Sequence, residues 1–151
     1  MTHRHDELST KEETGWRSFL DVVNGVPPDR LAEEGVVPGW SVKDLVWHCA
    51  EWARFAGKHL QQMRDGVFVD PFEGVDPAHW DRVSQEMIDE SRSMSFDEVL
   101  AGAEVRRAVV RDSLMSLSAV DDEVARWFAD ETFSHYDEHG AEIRLFLDAT
   151  G

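Results

Sequence analysis

Two histidines lie four residues apart near the carboxyl end of the chain, at His135 and His139. Apolar residues around them recur at helical spacing and predict an amphipathic helix over residues 130–148; they are Phe133, Ile143, Phe146 and Leu147. On a helix, this spacing places two side chains on one face, about 6 Å apart along the axis and rotated by roughly 40°. Two imidazoles in this arrangement can bind one metal ion, but a strong site needs a third ligand from another segment.

The best candidate for the third ligand is His48. It lies in the second turn of a helix predicted over residues 42–65. It shares one side of that helix with Leu45 and Trp52, so we expect its ring to face the protein interior. His59 follows on nearly the same stripe, but about 16 Å further along the axis. We therefore expect His59 to be a surface or partly packed residue that cannot share an ion with His48.

Three neutral imidazoles form a donor set with a definite chemistry. Such a set suits Zn, Ni, Fe or Cu better than Mg or Ca. It leaves at least one coordination position for water or substrate, which is typical of catalytic rather than structural sites. An ion held there can lower the pKa of bound water or of a bound thiol, and it can polarise a carbonyl group. The sequence does not choose among these ions.

Histidines that bind metals usually donate a hydrogen bond from their second ring nitrogen to an acceptor. The carboxylates close enough in sequence to accept such a bond are Asp44, Glu51, Glu131, Glu138 and Glu142. Asp44 also has the spacing of a helix-capping residue. We therefore prefer Glu51, three residues after His48, as a hydrogen-bond partner or a general acid or base. The alternative for each carboxylate is an ordinary solvated surface residue.

The rest of the chain supplies helices that can position these residues. Apolar spacing predicts helices over residues 10–24, 42–65, 77–92, 96–117 and 130–148. Three of them begin at capping pairs, namely Ser9 with Glu12, Ser41 with Asp44, and Ser95 with Glu98. No segment has a convincing strand pattern, so the sequence predicts an all-α protein. Its fold should be a four-helix bundle with one shorter helix in a connection, and such bundles build metal sites from facing helices.

Size and charge limit the possible functions. The chain has 151 residues, which fits one soluble domain over residues 1–151, and the polar residues 1–8 are expected to be flexible. A net charge of −16 repels phosphate groups, so we exclude nucleic acids and anionic membranes as partners. No run approaches the ~20 apolar residues of a membrane span, and no secretory signal is visible. With Cys49 as the single cysteine, we expect a cytoplasmic protein without an internal disulfide.

A longer motif resembles a known family. The second-helix signature of the DinB/YfiT-like superfamily is similar to the segment Pro38-Gly39-Trp40-Ser41-Val42-Lys43-Asp44-Leu45-Val46-Trp47-His48, which is followed by Glu51-Trp52. The pair His135 and His139 resembles the other half of that family's pattern. Within the family, residues 134–139 resemble the ClbS/DfsB-like bundles. Residues 38–41 resemble the N-terminal domains of maleylpyruvate isomerases from actinobacteria.

The resemblance implies an up-down-down-up four-helix bundle with a divalent-metal site on His48, His135 and His139. It also implies S-transfer from a low-molecular-weight thiol such as bacillithiol, mycothiol or glutathione, a thiol-dependent isomerisation, or hydrolytic self-protection. We therefore expect a metal-dependent enzyme, holding Zn, Ni or Fe, that activates a thiol or water toward a small-molecule substrate. One alternative is a non-catalytic bundle that sequesters a small toxic molecule. Another is a structural module that forms a homodimer and does not use the site.

Three residues near the candidate ligands allow more than one interpretation. Cys49 is expected to be a small buried hydrophobic residue, with a redox or ligand role as the alternative. Tyr136 can donate to a substrate oxygen or point to solvent. Gly140 costs roughly 1 kcal/mol inside a helix, and it allows either close helix packing or space beside an ion.

Overall fold

Six α-helices make up most of the protein in the computed structural model, which describes residues 3–150. They are α1 (His3–Asn24), α2 (Val42–Asp65), α3 (Pro77–Ser91), α4 (Phe96–Met115), α5 (Asp122–Glu131) and α6 (Phe133–Thr150). A short 3-10 helix, Pro28–Arg30, and an isolated bridge between Val37 and Trp40 lie in the connection from α1 to α2. Within the described range no β-strand occurs, so the predicted all-α class is confirmed.

Two of the predicted capping pairs form at the predicted helix starts. The Asp44 N–H donates to Ser41 Oγ at 3.2 Å, and the Ser41 N–H donates to Asp44 Oδ2 at 2.9 Å. Ser95 and Glu98 make the same reciprocal pair at the start of α4. Each pair satisfies two backbone N–H groups that have no partner within the helix, which fixes the first residue of α2 and of α4.

The third predicted pair does not form, because α1 begins at His3 rather than at residue 10. Its first turns are held by contacts with the connection between α4 and α5. Leu8 is buried, and the ring of His5 is hydrogen-bonded to the backbone carbonyl of Leu117 at 2.8 Å. Of the segment predicted to be flexible, residues 3–8 are therefore helical. Residues 1 and 2 of that prediction lie outside the described residues.

The helix predicted over residues 130–148 is interrupted near its start, and the residues before it form a helix of their own. Thr132 separates α5 from α6 with a backbone that is not helical (φ −120°, ψ −98°). Its Oγ1 donates to the carbonyl of Phe128 at 2.6 Å, which satisfies the end of α5. Asp121 caps the start of α5 through the N–H of Val124. The end of the chain therefore contains two helices, α5 and α6, where the sequence predicted one.

Helix α2 lies at the centre of the bundle, where it contacts α3, α4, α5 and α6, while α1 packs mainly against α6. The apolar core forms two clusters along the bundle, one around Trp16, Leu45 and Ile143 and one around Leu60, Leu114 and Phe128. Because α2 is covered on most sides, it buries polar residues as well, including His48, Glu51 and His59. The up-down-down-up order of the helices stays a prediction. No helix between residues 3 and 150 has the length and apolarity to cross a bilayer.

Candidate metal centre

Three histidines meet between α2 and α6: His48, His135 and His139. One ring nitrogen of each lies within 4.8 Å of those of the other two. The ring centroid of His48 lies 4.9 Å from that of His139 and 5.4 Å from that of His135. The structure therefore brings together the three residues that the sequence singled out. Their arrangement could hold a metal ion.

The local structure of α2 places His48 in a region that excludes most water. The reciprocal cap fixes the first turn of α2, and His48 follows in the second turn with only 6% of its surface exposed. The rings of Trp40 and Trp52 lie close to that of His48, with centroids 5.1 Å and 6.3 Å away. These large apolar rings lower the local dielectric constant, which strengthens electrostatic interactions inside the site.

The Nδ1 atoms of the three histidines differ in their partners. His139 Nδ1 is hydrogen-bonded to Glu142, which orients that ring. His135 Nδ1 faces Glu131 Oε2 at 3.9 Å, beyond hydrogen-bond distance. His48 Nδ1 and His135 Nδ1 are buried without any partner. Buried polar atoms are nearly always paired, so two unpaired nitrogens on histidines that converge are a feature that a bound group could complete.

Burial also sets the charge of the site. It lowers the pKa of His48 to about 2, with the neighbouring His139 and His135 adding to the effect. The pKa of His135 falls to about 4, again mainly through burial. Both rings are therefore neutral at physiological pH, which is the form that binds metals. Burial and the charge of Asp130 raise the pKa of Glu131 to about 8, so a carboxyl beside His135 keeps its proton near neutrality.

The role predicted for Glu51 needs correction. Its Oε1 accepts from Arg106 at 2.6 Å, and its Oε2 accepts from Arg54 at 3.0 Å. Among the described residues, the hydrogen bonds of Glu51 go to these guanidinium groups and not to a ring nitrogen. The carboxylate therefore links α2 to α4. The acceptor beside a histidine is Glu142, which the sequence offered among its five candidates but did not favour.

Other predicted residues also have structural roles. Tyr136 neither faces solvent nor is free to meet a substrate, because it is buried and donates to Glu12 at 2.8 Å. Cys49 is fully buried, and burial raises the pKa of its thiol, as expected for a hydrophobic role. His59 is buried rather than partly packed. Its Nδ1 is hydrogen-bonded to the backbone carbonyl of Phe55 at 2.7 Å, and its ring stacks on Trp127.

An aromatic wall beside the histidines was not predicted. The ring of Phe72 lies parallel to that of Trp127, with centroids 5.5 Å apart, and 4.7 Å from that of Trp80. A cavity of about 110 Å³, here called the acidic-aromatic cavity, is lined by Asp70, Phe72, Arg126, Trp127, Asp130 and Glu131. The sequence signal for this contact was the loop after α2, which contains aromatic residues. No rule of residue spacing, however, predicts that this loop packs against α5.

Comparison with known proteins places this geometry in a wider context. A family model described as DinB superfamily matches residues 13–142. No curated protein sequence matches the chain. Similar solved structures include an uncharacterised protein from Escherichia coli UTI89, with 17% identity, a TM-score of 0.77 and coverage of 96% of this chain and 93% of that chain.

Two further similar structures have informative names. One is the colibactin self-resistance protein ClbS in complex with a dsDNA, with 16% identity, a TM-score of 0.79 and 97% of each chain covered. The other is described as Sibling Lethal Factor Precursor - DfsB, with 12% identity, a TM-score of 0.77 and coverage of 96% of this chain and 95% of that chain. At these identities the likeness establishes the fold alone.

The ClbS complex corrects one sequence-based expectation. We excluded nucleic acids as partners because the net charge of −16 repels phosphate groups. A protein with this fold has been solved together with a dsDNA. The exclusion is therefore wrong, because overall charge does not describe the local surface through which a protein of this fold meets a duplex.

Proposed function

The chain belongs to the DinB superfamily, and on that basis we propose that it binds a divalent transition metal and acts on a small molecule. His48, His135 and His139 would hold the ion. The observation that carries this proposal is their geometry: three ligand atoms, drawn from α2 and α6, lie within 4.8 Å of one another.

The residues present fit a metal ion by their chemistry. Two buried ring nitrogens without partners, on His48 and His135, favour a site that a bound group completes. The lowered pKa values of the same two rings keep them neutral, so an incoming ion does not have to displace their protons. Zn, Ni, Fe and Cu are ions that match an all-imidazole set, and we expect Zn, Ni or Fe here.

The neighbouring residues would position the ligands and control water and protons. When bound, the metal would supply Lewis acidity that lowers the pKa of a thiol or a water. Glu142 accepts from His139 Nδ1 and so leaves that ring's Nε2 free to bind. Glu131 holds a proton near neutrality at a carboxyl 3.9 Å from His135 Nδ1. Trp40 and Trp52 limit access of bulk water from the side of His48.

We propose that the reaction is attack by a low-molecular-weight thiol on an electrophilic small molecule, as transfer or as isomerisation. Hydrolysis by activated water is the related alternative. The resemblance of residues 38–41 to maleylpyruvate isomerase N-terminal domains supports the thiol reaction. A metal ion held by neutral, desolvated histidines could activate either a thiol or a water molecule as the nucleophile.

Elemental analysis of protein purified without a histidine tag tests the metal. We expect about one transition-metal ion per chain, and His135→Ala should reduce this to near zero because two imidazoles bind weakly. His79→Ala is the matched control, since His79 is an exposed histidine on α3. Equal metal content in the wild type and in His135→Ala would contradict the proposal.

Turnover separates an enzyme from a binding protein. Glutathione or mycothiol is mixed with a dinitrophenyl halide and the conjugate is measured by absorbance. Activity in the wild type that disappears in His135→Ala but persists in His79→Ala would support thiol transfer. Metal binding without turnover of any thiol or ester would favour the sequestration alternative.

A second candidate function has support from one structural neighbour. ClbS is a self-resistance protein solved with a dsDNA, so we propose a DNA duplex as a second partner of this chain. A titration of fluorescently labelled duplex, followed by polarisation at low and at physiological salt, tests it. Saturable binding that weakens with salt would support a phosphate-contacting surface. Polarisation that stays flat at low salt would discard this candidate.

A further inference from the structure

The outward side of α4 carries an apolar stripe that the described chain leaves open to solvent. Val105 and Val109 are 62% and 42% exposed, and Ala101 and Ala108 are exposed beside them. Residues 101, 105 and 109 are spaced by four, which places them in one row along the helix. The opposite side of α4 is apolar as well and lies in the core. Apolar residues on two sides are typical of a helix that packs on two sides.

The stripe belongs to a larger surface because α2 and α4 pack closely side by side. A Cβ on Gly57 of α2 would meet the Cα of Val110 at 3.5 Å. Gln61 Nε2 donates to Ser113 Oγ at 3.0 Å. The outward side of α4 and the adjoining residues 54–65 of α2 are here called the α2–α4 face. With 20 residues in α4 and two helices side by side, its footprint is about 30 Å by 20 Å. Side chains make the accessible area larger than this footprint, so it is comparable with the ~800 Å² that each partner buries in a standard interface.

Unpaired charges of opposite sign lie on the two helices of this face. Lys58 is exposed on α2, and Asp112 is exposed on α4. The ion pairs within the face are Arg54–Glu51, Arg106–Glu51 and Arg64–Asp65. They leave Lys58 and Asp112 without an ion-pair partner among residues 3–150. Both lie at a similar level of the helix pair, because Gly57 precedes Lys58 and lies against Val110.

We propose that the α2–α4 face is the interface of a homodimer, with a two-fold axis along the groove between the two helices. Such an axis lays α4 of each copy on α2 of the other, so Lys58 meets Asp112 of the second copy twice. Arg54 lies at the level of Val105, since its partner Glu51 also binds the residue that follows Val105. Val105 therefore packs on the aliphatic stem of Arg54 of the second copy. An isologous interface needs a surface that complements itself, and this face does so in charge.

The dimer goes beyond the proposed function and does not depend on it. The three histidines lie between α2 and α6, whereas this face joins α2 to α4. Two copies that each carry a net charge of −16 repel one another. The α2–α4 face avoids much of this repulsion, because arginines neutralise its carboxylates Glu51 and Asp65.

Analytical ultracentrifugation of the wild-type protein at about 1–100 µM measures the association. Interfaces of this size have dissociation constants in the micromolar range or below, so we expect a species of twice the 17.2 kDa of one chain. Val105→Arg should weaken the dimer about a hundredfold, because it sets a guanidinium group against that of Arg54 in the second copy. Leu145→Arg is the matched control, since Leu145 is an exposed apolar residue on α6, and this variant should dimerise like the wild type.

Charge reversals test the position of the two-fold axis. Lys58→Asp and Asp112→Lys should each weaken the dimer about tenfold, because either change sets like charges opposite each other twice. The variant that carries both changes should recover the wild-type dissociation constant to within about threefold. Both residues are exposed, and circular dichroism checks that each variant is folded. Apolar association without this arrangement would not be rescued by the double change.

Three results would overturn the inference. A wild-type protein that remains a monomer at about 100 µM would leave the face to another partner or to solvent. Equal dimerisation of Val105→Arg and the wild type, or loss of the dimer in Leu145→Arg alone, would place the interface elsewhere. Failure of the double reversal to restore the dimer would reject the two-fold axis. Metal content, measured on the same samples, should not differ between monomeric and dimeric variants, so failure of the metal proposal would leave this test valid.

Discussion

Consecutive residues of α6, His135 and Tyr136, belong to two buried polar clusters that are built in opposite ways. In the first cluster, Arg107 donates to both carboxylate oxygens of Glu12 at 2.7 Å, and the Tyr136 hydroxyl donates to Glu12 at 2.8 Å. In the second cluster, two of the three histidines keep a buried ring nitrogen without a partner. The first is thus complete within the protein, and the second is not.

This difference separates a structural cluster from a binding site. The ion pair of Glu12 and Arg107 joins α1 to α4, and Tyr136 adds α6, so its hydrogen bonds hold three helices together. The histidine cluster contributes no comparable network, and each unpaired nitrogen costs about 1–3 kcal/mol. A ligand that completes the cluster removes that cost. Burial of polar groups therefore does not by itself identify a functional site; the histidine cluster differs because its unpaired nitrogens belong to three converging metal-binding side chains.

The largest effect should come from breaking the complete cluster. Arg107→Met removes both hydrogen bonds that Arg107 donates to the fully buried Glu12 carboxylate, and it leaves Arg111, 3.6 Å away and not hydrogen-bonded to Glu12, as the remaining counter-charge. We expect a loss of about 3–5 kcal/mol in the free energy of unfolding, measured by urea denaturation. Arg17→Met is the control, because Arg17 pairs with Glu13 at the surface and should change stability by less than about 1 kcal/mol. Similar small losses in both variants would show that the cluster does not hold the bundle.

A smaller effect should follow from removing one donor of the same cluster. Tyr136→Phe keeps the ring and deletes the hydroxyl that donates to Glu12. We expect a loss of about 1.5–3 kcal/mol, the usual range for a hydrogen bond to a charged group. Metal content should not change, although His135 is the preceding residue. A loss of metal in Tyr136→Phe would mean that the two clusters are coupled and that the comparison fails.

The sequence predicted α2 more accurately than the helices at either end of the chain. Both limits of α2 carry local signals: the Ser41–Asp44 cap at its start and Gly66, with φ of 74°, at its end. The start of α1 carries none, since its first turns are ordered by contacts across the fold. One of these is the ion pair of Arg4 with Asp122 at 2.8 Å. Non-local contacts of this kind leave no trace in a hydrophobic pattern.

The same distinction explains the site. Helical spacing and helix face were sufficient to find His48, His135 and His139, because both are local properties. They could not identify the partner of Glu51, since Arg106 lies on α4, 55 residues away in sequence. Capping and periodicity likewise gave no way to place Phe72 beside Trp127. Candidate ligands can thus be read from the sequence. Which buried charged groups pair with each other can be known only once the packing of the helices is known.

The pH dependence of the metal-free protein should reveal the incomplete cluster. His48 and His135 have pKa values of about 2 and about 4 when folded, against 6.5 as the ordinary value. Below pH 6.5 the unfolded chain binds more protons than the folded one, so stability falls as pH drops. Glu131 has the opposite sign: its pKa of about 8, raised from 4.5, means that stability falls as pH rises toward 8. We expect maximal stability near pH 6.5.

Urea denaturation at several pH values measures this profile. On each side of the maximum, the free energy of unfolding should fall by about 1 kcal/mol per pH unit. Glu131→Gln should abolish the fall on the alkaline side and keep the fall on the acid side, because the amide does not titrate. A flat profile in the wild type would indicate that solvent reaches the histidines, and that the second cluster is not desolvated.

The smallest expected effect concerns Gly140, and a second helical glycine, Gly102, serves as the comparison. A Cβ on Gly140, the residue after His139, would meet the nearest side-chain atom, Phe19 Cδ1, at an ordinary 3.6 Å. Gly140→Ala should therefore raise the free energy of unfolding by about 0.5–1 kcal/mol and leave metal content unchanged. A Cβ on Gly102 would approach Trp47 Cζ3 at 2.7 Å, so Gly102→Ala should instead destabilise the protein. If Gly140→Ala lowered metal content, the space beside His139 would be part of the site rather than loose packing between α1 and α6.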